Sequence, residues 1–160
     1  SETYNLHEIT EHVGTLIEAE KPEGIELVRD YDPSLPLTTS DRGQLIQAFL
    51  NLAKNAMQAL GESGQLTFRT RALTNFTLGG QKYRLALSLE VEDDGPGIPD
   101  DLKETIFYPL VTGRETGTGL GLTIAQDLVS RNGGLIEFSS RPGETTFKVR
   151  LPVSAGPGGS

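Results

Sequence analysis

Three glycines alternate with other residues in the run Gly117-Thr118-Gly119-Leu120-Gly121, and a helical pattern of apolar residues follows directly. A glycine-rich turn that opens a helix brings backbone N–H groups and the positive end of the helix dipole close to a bound anion. The run therefore predicts either a phosphate-binding turn or an ordinary tight turn. It lacks the lysine of the Walker pattern, and Leu122 stands where the dinucleotide fingerprint and the protein-kinase glycine loop need a third glycine.

A stripe of amide side chains lies on a predicted helix. Gln47, Asn51 and Asn55 are spaced four residues apart, which places them on one side of the helix. Asparagine costs free energy when it is buried without partners, so the stripe indicates either a solvated face or the wall of a pocket. In a pocket, an amide oxygen could bind Mg²⁺ together with phosphate oxygens. Lys54 could reach a phosphate, or it could be a surface lysine.

Asp93 ends a strand of alternating apolar and polar residues and is followed by Gly95 and Gly97. A carboxylate here could accept a hydrogen bond from the exocyclic amino group of adenine, which guanine does not offer at that position. The two glycines would let a base lie against the backbone. The same residues also fit an ordinary acidic turn, and Arg114 could pair with a phosphate or be a loop charge. Taken together, the three features describe an ATP pocket.

Helical spacing of apolar residues predicts three helices that would carry these side chains. The first covers residues 5–20, and its apolar face includes Leu16. The second begins after Asp41, an expected N-cap that forms a capping box with Gln44, and ends at residue 61. The third runs from the glycine run to residues 132–134, with Ile124 on its apolar face. A short helical turn is expected over residues 101–107.

Alternating patterns predict the strands. They cover residues 25–31, 135–139 and 145–151, together with a long hairpin over residues 66–91 that turns at Gly79 and Gly80 and has one buried and one solvated face. Helices and strand pairs in this order indicate an α+β protein. We expect a two-layer α/β sandwich with a mixed, mostly antiparallel sheet and about three helices on one face.

Length and composition limit the classes of protein that fit this chain. Its 160 residues suit one domain, predicted over residues 1–153, with a disordered Gly-, Pro- and Ser-rich tail over 154–160. The net charge of −8 argues against a nucleic-acid or membrane partner. The chain has no cysteine, no signal peptide and no membrane-spanning apolar run, so a cytoplasmic location is expected. It starts at Ser1 and its one methionine is Met57, which suggests a processed chain or a piece of a longer one.

Four segments, in this order, resemble the N, G1, F and G2 boxes of the sensor histidine kinases, which belong with the ATPase domains of gyrase, Hsp90 and MutL. The segments are Asn51-Leu-Ala-Lys-Asn55-Ala, Asp93-Asp-Gly95-Pro-Gly97, Phe107-Tyr-Pro-Leu and Gly117-Thr-Gly-Leu-Gly-Leu122. Residues 29–36 and 107–115 are further similar to the nitrogen-regulatory members of these kinases. The resemblance implies the Bergerat-type sandwich, which agrees with the fold class predicted above.

The resemblance also implies ATP and Mg²⁺ as cofactors and a role for each matched residue. Asn55 would ligate Mg²⁺, Asp93 would bind adenine, and Thr145 would support the base through water. The glycines of the G2 box would contact the phosphates. The expected cofactor-binding residues are Asn51, Asn55, Asp93, Gly95, Gly97, Gly117, Thr118, Gly119, Leu120, Gly121 and Thr145. The expected catalytic residues are Asn51, Lys54 and Arg114.

Asn51 separates the kinases from the related ATPases, which place a glutamate there to activate water. An amide cannot act as that general base, so the resemblance favours phosphoryl transfer over hydrolysis. The acceptor would be a histidine on a separate dimerisation domain, and a response regulator would be an indirect partner. His7 and His12 are interpreted as structural or surface residues.

Three further expectations follow from the resemblance, concerning the lid over ATP, an alternative function and the oligomeric state. The segment between Phe107 and Gly117 is very short for such a kinase, which predicts a short lid over ATP and weak nucleotide binding by this chain. The alternative function is a nucleotide-dependent interaction module that docks a PII-type signal protein. We expect this chain to be a monomer, because dimerisation would depend on the separate domain.

Overall fold

The computed structural model describes residues 1–98, 101 and 118–153, which form three helices and seven strands. In chain order these are β1 (Glu2–Tyr4), α1 (His7–Glu20), β2 (Gly24–Asp30), β3 (Thr38–Ser40), α2 (Arg42–Leu60), β4 (Ser63–Leu78), β5 (Gln81–Asp93), α3 (Thr118–Arg131), β6 (Leu135–Arg141) and β7 (Glu144–Pro152). The turn predicted over 101–107, apart from its first residue, and the predicted tail lie outside the described residues. None of the described helices is long and apolar enough to cross a membrane.

The main sheet has five strands in the order β2-β4-β5-β7-β6. β2 pairs with β4 in parallel, and every other pair in this sheet is antiparallel, which confirms the predicted mixed, mostly antiparallel sheet. β1 and β3 form a second, two-stranded sheet in which the hydroxyl groups of Tyr4 and Ser40 lie 2.7 Å apart. This small sheet was not predicted, because three residues are too few to show an alternating pattern.

The three helices and the inner face of the main sheet enclose one apolar core. Burial of these side chains supplies the main driving force for folding. The fully buried members include Ile9, Val13 and Ile17 of α1, Leu45, Phe49 and Leu52 of α2, Leu122, Ala125 and Val129 of α3, and Leu66, Phe68, Leu87, Leu89, Val91, Val149 and Leu151 of the sheet.

Two residues that were predicted to face the core are exposed instead. Leu16 is 36% exposed, because the buried stripe of α1 passes through its neighbour Ile17. Ile124 is 38% exposed, because the buried stripe of α3 begins at Leu122. Leu122 and Ile124 are about 200° apart around α3, so they cannot share one face of the helix.

The outer face of the main sheet was predicted to be solvated, but the centre of this face is buried. Ser88 and Glu90 in β5 are 0% and 7% exposed. Arg69 lies across them, with its guanidinium 3.3 Å from Glu90, 3.2 Å from Glu92 and 3.2 Å from Asp30. Arg69 therefore pairs with three carboxylates on this face, and the buried carboxylate of Glu90 is one of them.

The first turn of α2 is joined to the end of α3 by Asn132. The predicted N-cap is confirmed, since the carboxylate of Asp41 accepts a 3.0 Å hydrogen bond from the N–H of Gln44. In the predicted capping box, the side chain of Gln44 would accept a hydrogen bond from the N–H of Asp41. That N–H instead donates to Oδ1 of Asn132 at 2.8 Å. Nδ2 of Asn132 donates to Gln44 Oε1 and to the carbonyl oxygen of Leu128. Asn132 therefore fixes the position of the helix with the amide stripe relative to α3.

The two histidines occupy structural and surface positions, as predicted. Nε2 of His7 lies 2.9 Å from the hydroxyl of Thr70, and its ring stacks on Tyr31 with the centroids 4.6 Å apart. Desolvation lowers the pKa of His7. His12 is exposed on α1.

Candidate nucleotide-binding site

The amide stripe of α2 runs from the surface into the interior. Gln47 is exposed, Asn51 is half-buried, and Asn55 is 8% exposed. Lys54 precedes Asn55 and is exposed. The stripe is therefore a solvated face at its start and part of a buried wall at its end.

Asn55 has one satisfied and one unsatisfied polar atom. Its Nδ2 donates a 2.8 Å hydrogen bond to the carbonyl oxygen of Asn51, one turn earlier in α2. Its Oδ1 is buried and has no hydrogen-bond donor among the described residues. Buried acceptors are nearly always paired, because an unpaired one retains its desolvation cost. A neutral oxygen of this kind fits a cation such as Mg²⁺, which prefers oxygen ligands.

The turn over residues 93–98, here named the G1 turn, lies against the last turn of α2. Asp93 is 2% exposed, and its Oδ1 accepts a 3.0 Å hydrogen bond from the N–H of Gly95. A Cβ atom placed on Gly95 would lie 3.2 Å from the carbonyl oxygen of Ala59, which is one helical turn beyond Asn55. The approach of Gly95 to Ala59 brings the carboxylate and the unpaired amide oxygen to the same end of α2.

The other side of the G1 turn lies on the hairpin between β6 and β7. The N–H of Gly143 donates a 2.9 Å hydrogen bond to the carbonyl oxygen of Gly95. Gly97 has a φ of +91°, and a Cβ atom there would lie 2.9 Å from the carbonyl oxygen of Arg141. Glycine is required at position 97 both for its backbone conformation and for this close approach.

A short row of polar residues borders the G1 turn on the inner face of the sheet. Asp93 stands opposite Thr145 in the pairing of β5 with β7, and Thr145 stands opposite Ser140 in the pairing of β6 with β7. Thr145 is 4% exposed, and its hydroxyl lies 2.6 Å from that of Ser140. Ser140 was missed in the sequence, although its place across the turn from Thr145 could have indicated this contact.

The predicted phosphate-binding residues are described only in part. Arg114 and Gly117 lie outside the described residues. α3 begins at Thr118, so its backbone includes Gly119, Leu120 and Gly121, whose side chains are not described. The prediction that the glycine run opens a helix is confirmed, and its contact with phosphate stays a prediction.

The sandwich fold, the G1 turn and the buried asparagine define a class of ATP-binding domain. Residues 40–155 match the family described as histidine kinase-, DNA gyrase B-, and HSP90-like ATPase, and the chain belongs to this family. It is 51% identical over 152 residues to the sensory histidine kinase/phosphatase NtrB of Escherichia coli O157:H7. This match covers 94% of the chain and 44% of NtrB, so the chain spans less than half the length of that relative.

Solved structures of histidine kinases have the same fold. The catalytic domain of the kinase ThkA superposes with a TM-score of 0.80 at 28% identity, and the match covers 95% of both chains. Full-length ShkA in complex with AMPPNP superposes with a TM-score of 0.79 at 26% identity, covering 98% of this chain and 32% of ShkA. These similarities confirm the resemblance drawn from the four boxes.

Proposed function

We propose that this chain binds ATP with Mg²⁺ and transfers the γ-phosphoryl group to a histidine on a separate dimerisation domain. The observation that carries the proposal is the buried, unpaired Oδ1 of Asn55 at the end of α2 where the G1 turn places Asp93. The similarity to NtrB supports a role in nitrogen regulation. Residues 1–153 would form the catalytic domain, acting in the cytoplasm where ATP is available.

The proposed metal site centres on Asn55, with Asn51 beside it on the same stripe. Mg²⁺ would complete its coordination with phosphate oxygens and water, as is usual for this ion in kinases. When bound, it neutralises charge on the phosphates. Lys54 and Arg114 would add positive charge near the transferred group, which matters because this chemistry depends on positioning and electrostatics.

The adenine base would bind beside the G1 turn. Asp93 would accept a hydrogen bond from the amino group of adenine, with Gly95 and Gly97 next to the ring and Thr145 supporting it through water. The backbone at the start of α3 would receive the phosphates, because helix N-termini favour negative charge. The residues proposed for that contact are Gly117, Thr118, Gly119, Leu120 and Gly121.

Asn51 favours transfer to a histidine over hydrolysis. An amide cannot remove a proton from water, so this position supplies no general base. The acceptor histidine would then pass the phosphoryl group to a response regulator. The alternative function is nucleotide-dependent docking of a PII-type signal protein. This alternative predicts nucleotide binding without phosphoryl transfer.

Labelled ATP distinguishes these functions. The chain is mixed with the separately expressed acceptor domain, Mg²⁺ and γ-labelled ATP, and we expect label on the acceptor domain. An acceptor domain whose histidine is replaced serves as the control and should stay unlabelled. Nucleotide binding with no labelled acceptor would contradict the kinase proposal and favour the docking module. Rapid phosphate release without an acceptor would instead indicate an ATPase.

A further inference from the structure

Ser140 lies where two sides of the proposed base site meet. Its Oγ accepts a 2.7 Å hydrogen bond from the N–H of Ile98 and lies 2.6 Å from Oγ1 of Thr145. Ile98 directly follows Gly97 in the G1 turn, and Thr145 stands opposite Asp93. One hydroxyl group therefore connects the G1 turn to the strand residue beside the buried carboxylate.

The N–H of Ile98 fixes the direction of one of these two hydrogen bonds. A backbone N–H can only donate, so Ser140 accepts from Ile98, and its hydroxyl can still donate to Thr145. The 2.6 Å separation from Thr145 suits a hydrogen bond between two hydroxyl groups. When Ser140 donates to Thr145, the proton of Thr145 is directed onward, and bonds arranged head to tail in this way strengthen one another.

We propose that Ser140 is a positioning residue that determines the specificity for adenine. The pairing edge of adenine presents an amino donor next to the acceptor N1. Asp93 can only accept, so it matches the amino group, and N1 needs a donor. The hydroxyl of Thr145 is that donor, directly or through one water, when Ser140 holds its orientation.

Hypoxanthine presents the reverse pattern, with a carbonyl oxygen in place of the amino group and an N–H at N1. The oriented pair of Asp93 and Thr145 therefore mismatches both groups of this base, and unpaired polar groups in a site reject a ligand strongly. This inference rests on the proposed function and names the residue that governs its choice of base.

The test compares the binding of Mg²⁺–ATP and Mg²⁺–ITP to this chain by calorimetry. Ser140→Ala is expected to weaken ATP binding about fivefold and to lower the ATP-to-ITP affinity ratio by a similar factor, which corresponds to one neutral hydrogen bond. Ser140→Thr keeps the hydroxyl and should restore the ratio. Ser139→Ala is the matched control, because Ser139 is the neighbouring exposed residue and points to the opposite face of the sheet.

A double-variant cycle separates this role from simple support of the fold. If Ser140 acts through Thr145, Ser140→Ala should add little to the effect of Thr145→Val on the ratio. A lowered unfolding temperature with an unchanged ratio, or full additivity of the two variants, would overturn the proposal. If the alanine variant does not fold, Ser140→Cys takes its place, because a thiol is of similar size and forms only weak hydrogen bonds. The same fall in the ATP-to-ITP affinity ratio is then expected of Ser140→Cys, and an unchanged ratio would overturn the proposal.

The wild-type chain shows which of the two claims has failed. Selective ATP binding by the wild type with no change in Ser140→Ala contradicts the role of Ser140 alone. No detectable ATP binding by the wild type contradicts the proposed function as well.

Discussion

Asn55→Ala is expected to reduce phosphoryl transfer to the acceptor histidine at least about a hundredfold, since a bound metal contributes several kcal/mol of charge stabilisation in such reactions. The substitution removes the buried Oδ1 that has no donor among the described residues. We therefore also expect the Mg²⁺ concentration needed for half-maximal labelling to rise. Both quantities are measured by following label on the acceptor domain across a Mg²⁺ titration.

Gln47→Ala is the matched control for Asn55→Ala. Gln47 belongs to the same amide stripe, but it is exposed two turns earlier in α2, so its replacement should leave both quantities unchanged. Circular dichroism and the unfolding temperature report whether either variant has lost its fold. Wild-type labelling with an unchanged Mg²⁺ dependence in Asn55→Ala would contradict the assignment of the metal site.

Asp93→Asn is expected to weaken Mg²⁺–ATP binding roughly 10- to 100-fold, the range for losing a hydrogen bond to a charged group. The asparagine oxygen can still accept from the N–H of Gly95, so the G1 turn should keep its shape. The new amide group can donate to the carbonyl oxygen of guanine, so the preference for ATP over GTP should narrow. Calorimetric titration with both nucleotides measures the two effects.

Asp94→Asn is the control for this second prediction. Asp94 is the next residue and is exposed, and its carboxylate accepts a 2.8 Å hydrogen bond from the N–H of Gln65 instead of lining the buried row. We expect its ATP affinity to stay within about twofold of the wild type, as is typical of a surface change. An equal loss in both variants would mean that the acidic pair supports the turn and that Asp93 does not bind the base.

Local patterns predicted the parts of the fold that depend on neighbouring residues in the chain. The spacing of Gln47, Asn51 and Asn55 located one side of a helix, and Asp41 located the residue where that helix begins. The sequence could not show that Asn55 is the buried end of this stripe. Its burial depends on contacts between distant parts of the chain, and the close approach of Gly95 to Ala59, one turn beyond Asn55, is one of them.

Several of the features that were predicted wrongly or missed depend on such distant contacts. The partner of the Asp41 N–H is Asn132, which lies 91 residues further along the chain. Arg69 covers Glu90 across neighbouring strands, and an alternating pattern alone made that face appear solvated. Ser140 gains its importance from Ile98, which is 42 residues away.

The most direct measurement is an NMR titration of the labelled chain with Mg²⁺ and AMPPNP. We expect saturable shifts concentrated at the side-chain amide of Asn55 and at the backbone amides of Gly95, Gly97, Ile98 and Thr145. The dissociation constant obtained from these shifts should be about 1 mM or lower, where 1 mM is the weak end of ligand affinities. Shifts centred on the outer face of the sheet, or no saturable shift at these residues, would contradict the assignment of this site to an adenine nucleotide.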